Sequence, residues 1–277
     1  MGIHATAVVD PRAEIDATAD IGPYVVIDGP VRVGPRTRVM SHAFLTGDSA
    51  LGADNIVHPG AVIGHEPQDL AYRGAPTGLR IGDHNVIREH AEIHRATQEG
   101  TLTIVGSDNY LMSHAHIAHN CHVGDRTVIC SGALVAGHVV VGDQAFVSGN
   151  CVVHQHVRIG RLAILRGLSR TSRDVPPFAI MDGTHTIRGL NRVGLRRAGF
   201  DRARTRALQD AFRILFRTRQ NLREALARVE GEIRSDDVAE LVAFVRASKR
   251  GVAMGPRNAG VVDADEEDSD SLVPCKP

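Results

Sequence analysis

The sequence of 277 residues predicts a mainly β chain: a parallel β-helix followed by a small α-helical C-terminal domain. Three observations carry the prediction. An aliphatic residue recurs at every sixth position, glycines recur at multiples of eighteen, and the spacing turns helical after Phe200.

Every sixth position from Ile3 to Leu165 gives a register of 28 positions, of which 25 are Ile, Leu or Val. With 67 such residues in 277, chance would fill about seven. A period of six is neither the 3.6 of a helix nor the 2 of simple strand alternation. It suits short strands that each turn one aliphatic side chain inward, joined by tight turns where glycines are expected to supply φ > 0. Gly34, Gly52, Gly106, Gly124, Gly142 and Gly160 are separated by multiples of eighteen, so three hexapeptides make one coil. Roughly eight coils then stack around an aliphatic axis.

The register fails at Asp69, Ala75 and Glu99, yet its phase survives. These failures predict loops extruded from an intact β-helix at 65–80 and 95–103, and loops on a rigid solenoid commonly carry function. The repeat is expected to stop near Val175-Pro176-Pro177, because proline cannot donate to a ladder. The β-helix is therefore assigned to residues 1–187.

Residues 188–254 are assigned to the helical domain. Leu208, Phe212, Leu215, Leu222, Leu226, Val229 and Ile233 recur at three-, four- and seven-residue spacings. Asp201 and either Ser235 or Asp236 are the expected N-caps. Residues 188–250 hold sixteen Lys/Arg against eight Asp/Glu, an excess of eight. Residues 255–277, with Asp263, Asp265, Glu266, Glu267, Asp268 and Asp270, are expected to be a disordered acidic tail. The chain as a whole balances 32 basic against 32 acidic residues, so no global field favours nucleic acid or an anionic membrane. Four cysteines without CxxC spacing point to a reducing compartment, and neither a signal peptide nor a membrane span is expected.

All 15 histidines lie at or before His185. Eighteen-residue stacking puts His119, Gly137 and Gln155 on one line, with His138 and His156 beside it. His114, His116, His122 and His154 flank that column. Imidazole, backbone amide and carboxamide in one column suit acyl transfer: a base for a hydroxyl proton, a donor for an oxyanion, and an amide for a polar substrate. Two plainer readings stand beside it. Single histidines at turns are often solvated or bonded to backbone, and the HxH pairs 114/116 and 154/156 could ligate zinc. The Arg-rich helices could equally be a solvated face, and scarce aromatics disfavour nucleic acid.

Over residues 1–250 the chain resembles the bacterial UDP-N-acetylglucosamine O-acyltransferase family of lipid A biosynthesis. The resemblance rests on Gln68-Asp69-Leu70, Ile93-His94-Arg95, Val105-Gly106-Ser107-Asp108-Asn109 and Ala115-His116-Ile117-Ala118-His119-Asn120-Cys121. It continues through Ala136-Gly137-His138-Val139, Val153-His154-Gln155, Asp174-Val175-Pro176-Pro177 and Gly194-Leu195-Arg196-Arg197. It implies a left-handed β-helix and a cytoplasmic homotrimer with active sites between subunits. It implies transfer of a 3-hydroxyacyl chain from acyl carrier protein to the 3-hydroxyl of UDP-N-acetylglucosamine. His119 would be the general base and the Gly137 N–H the oxyanion donor. Asp69, His116, His138, His154 and Gln155 would hold the substrate or acyl chain, with Asn191 and Arg197 near the uridine diphosphate and Gly167 at the position that sets chain length. No cofactor or metal is implied, since 4′-phosphopantetheine arrives on the donor. That acidic partner would explain the basic helices, on which Arg204, Arg213 and Arg217 are the expected docking residues.

The sequence departs from the family pattern at three places. Ala71 replaces a lysine, with Arg73 as a substitute cation; Ala198 replaces an arginine; and Asn120 puts no negative charge beside His119. A 3-amino sugar acceptor, a zinc-dependent carbonic-anhydrase-like trimer and a catalytically silent scaffold are the alternatives.

Overall fold

The structure, a computed structural model, describes residues 2–218 and 220–255. Among them, strands of two to four residues coil from Gly2 to Leu190, and four α-helices follow. The coiling strands form three walls of 11, 9 and 8 strands. Away from two excursions and the last two strands, partners along a wall are parallel and eighteen residues apart, as in Gly2↔Asp20 and Ile117↔Val135. Alternation within each short strand turns one residue inward and its neighbour outward. The inward set is the aliphatic register, with Ile63, Ile93, Ile117, Val135, Val153 and Leu165 all at most 1% exposed.

Two excursions leave the coil without disturbing its phase. Gly78–Ile81 pairs with Asp48–Leu51 at a separation of 30, twelve more than one coil. Leu102–Val105 pairs with Gly78–Ile81 at a separation of 24, six more than one coil. His65 and Leu102 belong to strands, so the excursions span 66–77 and 95–101, slightly shorter than the sequence suggests.

The glycine column has a different cause from the one expected. Left-handed turn positions are held largely by other residues, including His42, Asp54, His90, His114, Asn120, His138 and Asn150 at φ of +54° to +62°. Asn, Asp and His enter this region more readily than most side chains. Gly106 is instead a point of close approach: a Cβ there would stand 2.7 Å from the Gly124 carbonyl oxygen of the next coil. The expected stop at Val175-Pro176-Pro177 is also only a turn. Val175 bridges Ile159, and Ala179–Met181 then pairs with Ile164–Leu165, so the stack gains a further strand. Ile187–Leu190 returns antiparallel on it, carrying β structure past residue 188.

The helices are α1 (Arg192–Arg197), α2 (Arg202–Arg217), α3 (Leu222–Glu232) and α4 (Asp236–Arg246). Asp201 caps α2, accepting from the Arg204 N–H at 2.8 Å. Ser235 takes the N-cap position of α4 without a side-chain capping bond. Leu208, Phe212, Leu215, Leu226 and Val229 are buried. Ion pairs fasten the helices to the last coils. Asp174, 1% exposed, accepts from Arg158 Nε and Nη2 at 3.0 and 2.8 Å, and Arg158 also donates to the Phe244 carbonyl on α4. Arg161 reaches Glu240 on the same helix at 2.7 Å. The acidic tail expected at 255–277 lies, after Gly255, outside the described residues.

Candidate active site

Backbone bonds from His138 N to the His119 carbonyl and from His156 N to the Gly137 carbonyl, 3.0 and 3.1 Å, stack the predicted column coil on coil. The His119 ring lies over Gly137. A Cβ at 137 would fall 2.4 Å from its Cε1 and 2.6 Å from its Nε2, so only glycine leaves the imidazole where it stands. The Gly137 N–H makes no hydrogen bond among the described residues.

His119 Nδ1 is 3.0 Å from Asn120 Oδ1. An amide oxygen only accepts, so Nδ1 carries the proton and Nε2 keeps its lone pair. The Asn120 side chain is itself fixed. Its Oδ1 accepts from Thr97 N and Oγ1 at 3.1 and 2.8 Å, its Nδ2 donates to Thr101 Oγ1 at 3.2 Å, and its backbone N–H donates to Thr103 Oγ1 at 2.8 Å. The 95–101 excursion is thereby tied to the imidazole.

The neighbouring line is a ladder of rings. His138 meets His119 edge-on at 5.2 Å and stacks on His156 at 4.5 Å. Burial, and then the two flanking imidazoles, push the His138 pKa below its usual value; the nearby Asp69 carboxylate opposes them. His138 is therefore neutral at pH 7, able to accept or donate one hydrogen bond. Asp69, half-buried on the 66–77 excursion, accepts from the Ala71 N–H.

His116 stands on the outward face of the next wall strand, its Nδ1 3.2 Å from Glu92 Oε2. His94 lies beside them, and burial lowers its pKa. His154 is exposed, with its Nδ1 3.2 Å from Arg250 Nη2. Gln155 is exposed, and no hydrogen bond engages its side chain among the described residues. Gly167 has open space: a Cβ there would meet the Gly149 carbonyl oxygen only at 3.7 Å.

Two residues expected near ligand make bonds within the fold. Asn191 is 4% exposed and caps α1, its Oδ1 accepting from Gly194 N and its Nδ2 donating to the Leu162 carbonyl, both at 2.8 Å. Each amide atom thus makes one bond that holds the fold. Arg73, exposed, turns one guanidinium nitrogen back on its own loop, donating from Nη1 to the Leu70 and Tyr72 carbonyls. Arg197 is exposed in the last turn of α1. Among the described residues neither HxH pair gathers into a metal-ligating group by itself, and His114 stacks on His90 at 5.2 Å. Burial pushes the Cys121 thiol up to about 12, which rules out a thiolate nucleophile there.

Sequence reasoning did not single out Glu92, Thr97 or Arg250. Glu92 and His116 are 24 residues apart, and only subtraction of the six residues added by the excursion reveals them as partners one coil apart.

No helix among the described residues is long and apolar enough to cross a membrane. Residues 174–253 match the model of "Udp N-acetylglucosamine O-acyltransferase; Domain 2", and residues 102–137 match "Bacterial transferase hexapeptide (six repeats)". An acyl-[acyl-carrier-protein]–UDP-N-acetylglucosamine O-acyltransferase from Syntrophobacter fumaroxidans is 45% identical over 91% of this chain and 99% of its own. One from Anaeromyxobacter is 44% identical over the same shares. The crystal structure of a UDP-N-acetylglucosamine acyltransferase from Bacteroides fragilis superposes with a TM-score of 0.88 at 36% identity, covering 91% of this chain and 99% of that one. The β-helix is of the left-handed kind. The chain belongs to the UDP-N-acetylglucosamine O-acyltransferase family.

Proposed function

We propose that the chain moves a 3-hydroxyacyl group from acyl carrier protein to the 3-hydroxyl of UDP-N-acetylglucosamine, the first step of lipid A biosynthesis. The carrying observation is a free His119 Nε2 beside a glycine whose N–H is unused. Nε2 takes the hydroxyl proton as the sugar oxygen attacks the thioester carbonyl. The Gly137 N–H receives the developing oxyanion. Collapse of the tetrahedral intermediate breaks the C–S bond, and the proton on Nε2 passes to the departing phosphopantetheine thiolate. No resident cofactor is needed, because the pantetheine comes and goes with the donor.

Asp69, His116, His138, His154 and Gln155 would hold the sugar nucleotide and acyl chain, and Arg197 the diphosphate. Open space at Gly167 suits the end of an acyl chain. A donor on acyl carrier protein puts the reaction in the cytoplasm.

A homotrimer is supported by the outward face of the 11-stranded wall. Ile56, Val86, Tyr110, Val128, Phe146 and Ile164 are register partners in one continuous outward row, an apolar surface that further copies of the chain would cover. Leu70, 98% exposed at the tip of an excursion, offers a second contact. Phe146→Glu should then give monomers by light scattering.

The reaction is tested by mass spectrometry of products from UDP-N-acetylglucosamine, or its 3-amino analogue, with a series of 3-hydroxyacyl donors. An ester product that disappears in His119→Ala supports the proposal. Product from the 3-amino sugar alone overturns the ester assignment.

A further inference from the structure

Glu92 and His94 sit two residues apart on the strand Glu92–His94, so alternation turns both outward. His116, on His116–Ile117, is the register partner of Glu92 one coil on. Glu92 Oε2 lies 3.2 Å from His116 Nδ1 and 3.9 Å from His94 Nε2, and ligating atoms of the three residues all fall within 4.8 Å of one another.

His94 is the informative member. Its Nδ1 lies 2.5 Å from the Glu66 carbonyl oxygen, which accepts the ring proton and leaves the lone pair on Nε2. That residue is 5% exposed, and Nε2 has no hydrogen-bond partner among the described residues. A buried acceptor aimed at a carboxylate is mismatched as a hydrogen-bonding arrangement, since neither atom brings a proton. It is well matched as a pair of ligands. The carbonyl behind Nδ1 is also the support that metal-bound imidazoles usually have.

We propose that Glu92, His94 and His116 form a site for one divalent transition-metal ion of the zinc type. Two imidazole nitrogens and a carboxylate oxygen suit zinc better than magnesium or calcium, which favour all-oxygen shells. Zinc–ligand bonds of about 2.0–2.2 Å place tetrahedral ligand atoms roughly 3.3–3.5 Å apart. The separations present need only small side-chain rotations to reach that. Glu92, with 46% of its side chain in solvent, leaves the fourth position open to water. If His116 also holds substrate, as the proposed function has it, the ion is an occupant that competes with substrate. The acyl transfer itself does not require it.

The test uses the full chain, stripped by a chelator and titrated with zinc by calorimetry without substrate, so its outcome does not depend on the acyltransferase reading. We expect one zinc per chain with sub-micromolar affinity. Glu92→Gln should weaken it at least tenfold, while His156→Ala, which alters only the ring ladder, should not. Cobalt(II) should give the visible spectrum of a four-coordinate ion, and Glu92→Gln should abolish it while circular dichroism stays unchanged. Absence of binding tighter than about 100 μM overturns the proposal. So does unchanged affinity in Glu92→Gln, or a loss confined to His156→Ala.

Discussion

His119 is oriented by the neutral amide next to it in sequence: Nδ1 donates to Asn120 Oδ1 at 3.0 Å, and Thr97 donates to the same oxygen from the 95–101 excursion. What the sequence suggests as a missing charge is, in the fold, an anchored acceptor. It selects the tautomer that leaves Nε2 basic.

Removing that acceptor should therefore cost rate rather than binding. Asn120→Ala is expected to lower kcat by roughly 10- to 100-fold, because small misplacements of a catalytic group carry losses of that order. KM for both substrates should change little. Asn120→Asp restores the acceptor and adds a negative charge, which favours the imidazolium. Its acid limb in a plot of kcat/KM against pH should move to higher pH. A wild-type rate in Asn120→Ala would show that His119 needs no such support.

At Gly137 two demands coincide, room for the His119 ring and access to the backbone N–H. A methyl group would fall 2.4 Å from the ring, so Gly137→Ala must turn the imidazole aside. The turnover loss should then match that of His119→Ala, about 10²–10⁴-fold. The double variant should be no worse than the poorer single one, since groups acting as a unit are not additive. The ring is half-exposed and can swing away, so the melting temperature should hardly move. Additive losses would separate the glycine from the base.

Stability should fall in two stages as pH drops. Burial, as the largest cause in each case, holds His58, His94, His138 and His185 below their ordinary value of 6.5. The unfolded chain then binds more protons than the folded one below about pH 6.5, so stability is lost as pH falls through that point toward the folded values. A second loss follows at lower pH. The Arg88 guanidinium, hydrogen-bonded to Glu89, holds that carboxyl down at about 2, against an ordinary 4.5. Chemical denaturation of metal-free protein should show stability flat from pH 7 to 8 and declining from about 6.5 downward. A rise on acidification from 7 to 5.5 would contradict this.

The axis of the fold was legible because one inward residue per strand imposes a period of six, which neither a helix nor a simply alternating strand shares. The purpose of the glycines was not, since a left-handed turn and a close coil contact select the same residue; only the φ values and the Gly106–Gly124 approach tell them apart. The His119–Gly137 column followed from counting eighteen. Glu92 with His116 did not, because an excursion between them breaks the count of eighteen. Asn191 was assigned to ligand by resemblance, while its burial and capping role depend on the Leu162 carbonyl, 29 residues away.

The helical face fared similarly, and this alters the docking experiment. Arg204 looks available from its spacing, but its Nε and Nη2 donate to Asp237 on α4 at 2.8 and 2.9 Å, and its guanidinium lies 3.8 Å above the Phe200 ring. Asp237 is 5% exposed, so a carboxylate at 204 would leave two acids facing each other at a buried contact. Arg217 donates to the Arg188 carbonyl and is also occupied. Arg202, Arg206 and Arg213 are all exposed, and their spacings of four and seven put them on one side of α2. Among the described residues Arg213 pairs with Asp210, at 3.3 Å, with 71% of its side chain in solvent. Reversing these three charges to Glu should raise KM for acyl carrier protein about tenfold or more at low salt. The melting temperature and KM for UDP-N-acetylglucosamine should stay near wild type. The wild-type carrier-protein KM should itself climb with salt, since exposed charges are screened over about 8 Å at physiological ionic strength. If the triple variant and the wild type share one KM for the carrier protein at low salt, this face of α2 is only solvated and the donor docks elsewhere.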